Sequence, residues 1–453
     1  MSRVLALVDG EHYPPTTRWG LFAARSLGYD IAACLFLGGI EKLGADRRLD
    51  LGEVPVLDGG DEPVAALRRA LADVRPDAVL DLSDEPVLGY RERLLLASVS
   101  LAAGVPYIGS DFRLDPPVTA PPLDVPALAV IGTGKRTGKT AVAGEAARVA
   151  AGAGLDPVVV AMGRGGPPEP QVAEAGSVGL ERLLELARRG EHAASDYLED
   201  ALTTGVTTVG ARRVGGGLAG APFASNVHEA AQVAARSGAG LVILEGSGAA
   251  VPPVPWDAGV LVCSMGIPEE YLGGYLGPYR VLLSDLVVLT LSSGPDGGRL
   301  PILTSHIRRL RPDARIVVAE LKPYPLRDVR GKKVFFATTA PIDAGASLAS
   351  HLEEAHGCIV VGTSHRLADR AGMAEDIEAA PPFEVLVTEL KAAAVDVAAE
   401  RALARGAEVV FADNRAETLE GDGRLPDLLL EAARAAVERA ERSRGARRAA
   451  RSS

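Results

Sequence analysis

Cysteine is scarce in this chain of 453 residues: Cys34, Cys263 and Cys358 lie far apart, with no CxxC spacing. That excludes a disulfide framework and a cysteine-built zinc site, and points to a reducing compartment, the cytoplasm. No HxH or HxxxH pair occurs, so a bound transition metal is not expected. No apolar run approaches the ~20 residues of a membrane helix. Met1-Ser2-Arg3 runs straight into VLALVDG, without a signal-peptide pattern. Aromatic residues are only 4% of the chain. Lys and Arg (48) are outnumbered by Asp and Glu (59), and the net charge of -11 disfavours a general nucleic-acid binder. One stretch runs the other way: ERSRGARRAARSS, residues 441–453, carries five arginines. It reads as a frayed, solvated tail, with contact to a polyanion as the sharper alternative.

What is present is the composition of a globular protein, 47% apolar and 24% charged, long enough for two or three domains. Residues 1–114 alternate strand-like runs (VLALVD, IAACLFLG, AVLDLS, PYIG) with helical stretches, which predicts a Rossmann-like α/β domain. The proline-rich DPPVTAPPLDVP over 115–126 is the clearest linker. Beyond it, apolar runs from ALAVI and PVVVAM through LVILEG and KVFFATT to EVVFAD alternate with helices. They predict a larger P-loop domain over 127–440 with a mostly parallel sheet and a C-terminal lobe over 331–440.

The run ALAVI is followed by GTGKRTGKT (132–140) and then by helical spacing. Gly138-Lys139-Thr140 is the tail of a phosphate-binding loop, but the usual spacing puts its first glycine where Thr133 stands. A longer loop with GT at its start and GKT at its end, as in dethiobiotin synthetase, accounts for this. Gly132 is then the first glycine, and Thr133, Gly134 and Thr137 line the cradle. Lys139 can reach the β- and γ-phosphates of ATP, and the Thr140 hydroxyl can ligate Mg²⁺. Lys135 and Arg136 either stand in solvent or neutralise charge on a transferred phosphoryl group.

Glu245, at the end of LVILEGSGAA, sits where ligands meet an open α/β sheet. It either holds Mg²⁺, polarises a nucleophile or faces solvent; Ser247 and the glycines around it favour close approach to a ligand. Arg164 lies between Gly163, Gly165 and Gly166 and offers a planar fork for phosphate or carboxylate, unless the stretch is a plain surface turn. TTVGARRVGGGLAG repeats the formula with Arg212, Arg213 and Gly216, as a second anion pocket or a flexible loop.

Together GTGKRTGKT, GRGGP, SDYLEDAL, RRVGGGLAG, LEGSGAAVPPV and TELKAAAVDVA, with VDGEHYPP near the N-terminus, resemble the cyclic 2,3-diphosphoglycerate synthetase family through about residue 415. The resemblance implies an ATP- and Mg²⁺-dependent ligase that closes 2,3-diphosphoglycerate into a cyclic phosphoanhydride, releasing ADP and phosphate. Lys139, Lys135, Arg136 and Glu245 are then the catalytic candidates. Arg164, Gly165, Gly166, Arg212, Arg213, Gly216 and Ser247 are the acid-binding candidates, and Thr140 with Glu245 the metal pair. KVFFATTAPIDAGASLASHLEEAHG resembles the adenine-side lobe of lipid A 4'-kinases, which implies Thr338 and Thr339 near the base. A cytoplasmic homodimer is expected, with no nucleic-acid or membrane partner. Lys391, Asp413 and Asn414 end late strands and are candidates for a supporting role. His12 and His365 read as cap or turn residues. Two rivals stay open: a kinase that adds a phosphate to a phosphorylated acid, and a nucleotide-dependent switch.

Overall fold

The computed structural model describes residues 1–44, 48–291 and 298–452, with side chains through residue 447. The chain forms two compact units. The first holds β1 (Ser2–Val8), β2 (Tyr29–Phe36), β3 (Val56–Asp58), β4 (Ala78–Asp81), β5 (Tyr107–Ile108) and β6 (Arg113–Leu114), in the order β3-β2-β1-β4-β5-β6. All neighbours pair parallel except β5 with β6. Successive β1 side chains enter opposite cores, Leu5 and Leu7 on one face and Val4, Ala6 and Val8 on the other. That alternation is why a strand covered on both sides reads as an unbroken apolar run.

This unit is not confined to the N-terminal stretch. It comprises residues 1–117 together with 269–283 and 302–312, so two segments within 127–440 belong to the Rossmann-like unit. Leu282 packs on the core that holds Leu96 and Val99, and Arg68 donates to the Leu310 carbonyl at 2.5 Å. Sequence periodicity cannot reveal such a return, because it shows which face of a helix is apolar and not what covers it.

The second unit contains β7 (Ala127–Gly132), β8 (Pro157–Gly163), β9 (Gln171–Ala173), β10 (Thr208–Val214), β11 (Ala224–Ser225), β12 (Leu241–Glu245), β13 (Ala258–Ser264), β14 (Leu286–Leu291), β15 (Arg315–Pro325), β16 (Lys333–Ala337), β17 (Ile359–Ser364), β18 (Val385–Glu389) and β19 (Glu408–Gly421). Among the described residues they form one sheet, β11-β10-β8-β12-β7-β13-β14-β15-β19-β18-β16-β17, with β9 on β10. Only β9/β10, β10/β11 and β15/β19 pair antiparallel. The 331–440 stretch is therefore a continuation of the P-loop sheet, joined through the long β15/β19 ladder.

Two expectations change. The segment TTVGARRV, read as loop, is strand β10. The basic tail is not a frayed end: it continues the helix Leu425–Ser452. That helix starts with Leu425, Leu428, Leu429, Ala432, Ala433 and Ala436 in the core, against Ala143, Ala146 and Ala147 of the helix Lys139–Gly152. With few aromatics, the interior is filled by Val, Leu and Ala, whose small side chains let helices and strands approach closely.

Candidate functional site

The phosphate loop leaves β7 at the centre of the sheet. Gly138 caps the helix Lys139–Gly152 in the left-handed conformation, φ 87° and ψ 15°. A Cβ there would also lie 2.9 Å from Leu321, so both the turn and the packing demand glycine. The loop is pinned from β14, two strands away in the sheet, where the Thr290 hydroxyl donates to the Thr137 carbonyl at 2.8 Å. Lys139 folds back to donate to the Gly134 carbonyl at 2.7 Å and to Thr137 Oγ1 at 3.3 Å. Burial pushes its pKa down to about 8. A phosphate in the cradle would supply the negative charge that the ammonium lacks.

Thr140 Oγ1 donates to Glu245 Oε1 at 2.7 Å. Glu245 Oε2 and both oxygens of Asp200 are buried with no donor from another residue, and the two carboxyl groups lie close enough to share a proton. Burial raises the pKa of Glu245 and holds that of Asp200 well above the carboxylate range. Orphaned carboxylate oxygens beside a P-loop threonine fit a hard cation, and cost free energy without one. Among the described residues no three acidic, histidine or cysteine groups are arranged to hold a metal by themselves. A cation held by these groups would need further ligands from outside the protein to complete its shell.

Arg164 follows β8 and Arg213 lies near the end of the adjacent β10. Arg213 donates to the Ser247 carbonyl at 2.8 Å and to its hydroxyl at 3.3 Å. Gly248, at φ 61°, lets both guanidiniums converge: a Cβ there would lie 2.7 Å from Arg164 and 3.3 Å from Arg213. Burial, then Arg164, push the Arg213 pKa down. Two guanidiniums converging, and both acting on Lys139, make a strong anion site.

Arg212 does not join them. Strand neighbours face opposite ways; its Nε donates to the carbonyls of Gly166 and Pro167 at 3.0 and 2.9 Å. It braces the turn that carries Arg164, Gly165 and Gly166. Lys135 and Arg136 are exposed, with Arg136 in the left-handed region at φ 59°. Gly216 lies in the exposed stretch after β10.

Acidic residues missing from the sequence-based site occupy its floor. Asp196, Glu199 and Asp200 line one face of the helix Asp196–Thr204 and are buried or nearly so. Asp196 Oδ2 lies 3.3 Å from where a Cβ on Gly163 would stand. Its pKa is raised by burial, against the pull of Lys391, His192, Lys139 and Arg164. The signal was the 196/199/200 spacing in SDYLEDAL, three carboxylates on one helical face. The late-chain candidates divide. Thr338 and Thr339 hydroxyls donate to Glu389, on which Lys391 also converges. Asp413 instead pairs with Arg148 at 2.9 Å. His12 bonds Asp9 at 2.9 Å, and His365 the Ala340 carbonyl, both as turn residues.

Profiles described as the N-terminal, P-loop and C-terminal domains of cyclic 2,3-diphosphoglycerate synthetase match residues 3–115, 127–319 and 325–415. A protein of that name from Rubrobacter xylanophilus is 49% identical over 426 residues, covering 92% of this chain and 96% of its own. Those from Methanothermus fervidus (38%; 96% and 98% covered) and Methanothermobacter thermautotrophicus (41%; 91% and 91%) extend the match.

Proposed function

We propose, from the premise that this chain belongs to the cyclic 2,3-diphosphoglycerate synthetase family, that it closes 2,3-diphosphoglycerate into its cyclic phosphoanhydride with ATP. ADP and inorganic phosphate are released. The observation that carries this reading is the convergence of Arg164 and Arg213 beside Lys139: one cation set for nucleotide and a second for another polyanion.

The residues divide by position. Gly132 to Thr140 cradle the ATP phosphates, with Lys139 at the β/γ end. Thr140 and Glu245 would hold Mg²⁺, which would supply positive charge against that developing on the transferred phosphoryl group. Arg164, Arg213 and Ser247 take the acid, and Arg212 holds the Arg164 turn in place. Lys135 and Arg136 are exposed on the loop and would meet phosphate only when ligand is bound. Thr338 and Thr339, expected on the adenine side, instead donate to Glu389 beside Lys391, so in this reading they support that lysine and the adenine side is left without assigned residues.

In this reading the γ-phosphoryl group passes to one substrate phosphate. An oxygen of the other substrate phosphate then attacks the phosphorus of the phosphorylated one. The bond from that phosphorus to the bridging oxygen breaks, so the transferred group leaves with that oxygen as inorganic phosphate as the ring closes. No carbon bond changes, so the protein's contribution is positioning and electrostatics. Buried, reduced Cys34, Cys263 and Cys358 support a cytoplasmic setting. Exposed Trp19 and Phe22, on one face of the helix Pro14–Ser26, support a homodimer, which light scattering would check.

The deciding experiment is an ADP-release assay with and without 2,3-diphosphoglycerate, with phosphorus NMR of the product. Release that depends on the acid and yields the cyclic compound is expected. A linear product would replace this reading with a kinase, and vigorous turnover without the acid with a switch. Lys139→Ala should abolish turnover while leaving the thermal melt close to wild type; retained activity would remove the P-loop from the mechanism.

A further inference from the structure

We propose that Lys391 is a further substrate cation: at rest its ammonium is held by Glu199 and Glu389, and a phosphate group of the acid takes their place on binding. This rests on the reading above, and deepens it by adding a contact from the C-terminal part of the sheet.

The placement is the first support. Lys391 follows β18, yet it acts on the same buried carboxylate, Asp196, as Lys139, Arg164 and His192 do. It therefore belongs to the phosphate cleft and not to a separate core.

Access is the second. Nζ lies 3.2 Å from Glu199 Oε1 and 3.8 Å from Glu389 Oε2. The Lys391 side chain is 34% exposed, against 9% and 5% for its two partners. The opening runs along the lysine side chain while its ammonium is itself buried among the carboxylates, so Nζ swings outward along that opening to meet an incoming phosphate. A pair whose only task was to lock the core would have no need of that opening.

Charge balance is the third. One ammonium faces three carboxylates, Glu199, Glu389 and Asp196. Burial works against the ammonium, but Glu199 and Glu389 outweigh it and hold its pKa above the ordinary value. Burial pushes Glu199 up to about 8 despite Lys391, with Asp196 and Glu389 adding to the shift. The cluster thus keeps the lysine charged while part of its own negative charge is suppressed. A site for a polyanion needs that bias.

The backbone is the fourth. Ala392, directly after Lys391, is left-handed at φ 48°, a conformation that residues with a Cβ rarely adopt. A π-helical turn then spans Ala394–Ala399. Strained residues and π-turns concentrate where a side chain must be aimed.

The test is calorimetric binding of 2,3-diphosphoglycerate and, separately, of ATP, beside the steady-state KM for each. Lys391→Met should weaken the acid roughly ten- to a hundredfold, with ATP binding little changed and the melting temperature near wild type. Lys391→Arg should recover part of the loss. Glu199→Gln, which frees the lysine from its resting partner, should leave acid binding unchanged or tighter, and decides the matter if Lys391→Met does not fold. Unchanged acid binding in Lys391→Met, an equal loss for ATP, or weakened acid binding in Glu199→Gln would each overturn the proposal. Binding needs no turnover: a wild type that binds the acid through Lys391 but makes no cyclic product would sink the functional reading and leave this inference standing.

Discussion

Arg212→Ala and Arg213→Ala, one residue apart, are expected to fail differently. Arg213 faces Ser247 and shares the space over Gly248 with Arg164. Losing either of that pair removes a charge-assisted contact worth about 1.5–3 kcal/mol, or roughly ten- to over a hundredfold in affinity for the acid. Arg212→Ala removes only the brace on the Gly166 and Pro167 carbonyls, so its loss should be smaller and reach the acid through Arg164. ATP affinity should change little in all three, and calorimetry with each ligand separately would check it. An equal loss of ATP would move Arg164 and Arg213 into the nucleotide site. Sequence could not separate the two arginines, because their difference is which side of β10 each faces. The phosphate loop was legible because its nine residues are consecutive; Asp196 and Lys391, 195 residues apart in the chain, meet only through the sheet order.

At the scale of the element, the helix Asp196–Thr204 sets the response to pH. Burial raises Glu199 from its ordinary 4.5 to about 8, and Asp196 and Asp200 move in the same direction. A raised carboxyl binds its proton more tightly in the folded state than in the unfolded one. Its contribution to stability is therefore complete below about 4.5 and is lost as pH rises through about 8. Without ligands, the melting temperature should fall across that window, and Glu199→Gln should flatten the fall. Thermal melts at a series of pH values would show it; a variant with the wild-type slope would mean that Glu199 does not titrate there. SDYLEDAL entered the sequence reading only through the family resemblance; a helix whose acidic face is the buried one was not legible, since charged faces normally point to solvent. The strand β10 was missed for a related reason: Arg-Arg followed by three glycines has the composition of a loop, and pairing with β8, β9 and β11 keeps it extended.

For the whole molecule, the consequence of the two returning segments is a test by truncation. A fragment ending at residue 117 holds the complete sheet of the first unit but lacks residues 269–283 and 302–312. Leu282 leaves its core, and the Leu310 carbonyl no longer receives Arg68. The fragment should melt at a lower temperature, or less cooperatively, than one in which the two segments are supplied by a redesigned connection; equal melts would show that they ride on a finished domain. The alternation of strands and helices made both α/β units readable, and the proline-rich linker marked their first boundary. The later crossings fall at single prolines, Pro268, Pro301 and Pro312, or at none between Leu283 and Ser284, and single prolines do not stand out in a chain that has 31. On the ribosome the same interleaving sets a clock. The unit begun by Met1 is complete only when residue 312 has been made, 195 residues after its first segment ends at residue 117. At roughly 5–20 residues per second, a nascent chain holds an incomplete first unit for about 10–40 seconds, while the P-loop strands emerge behind it.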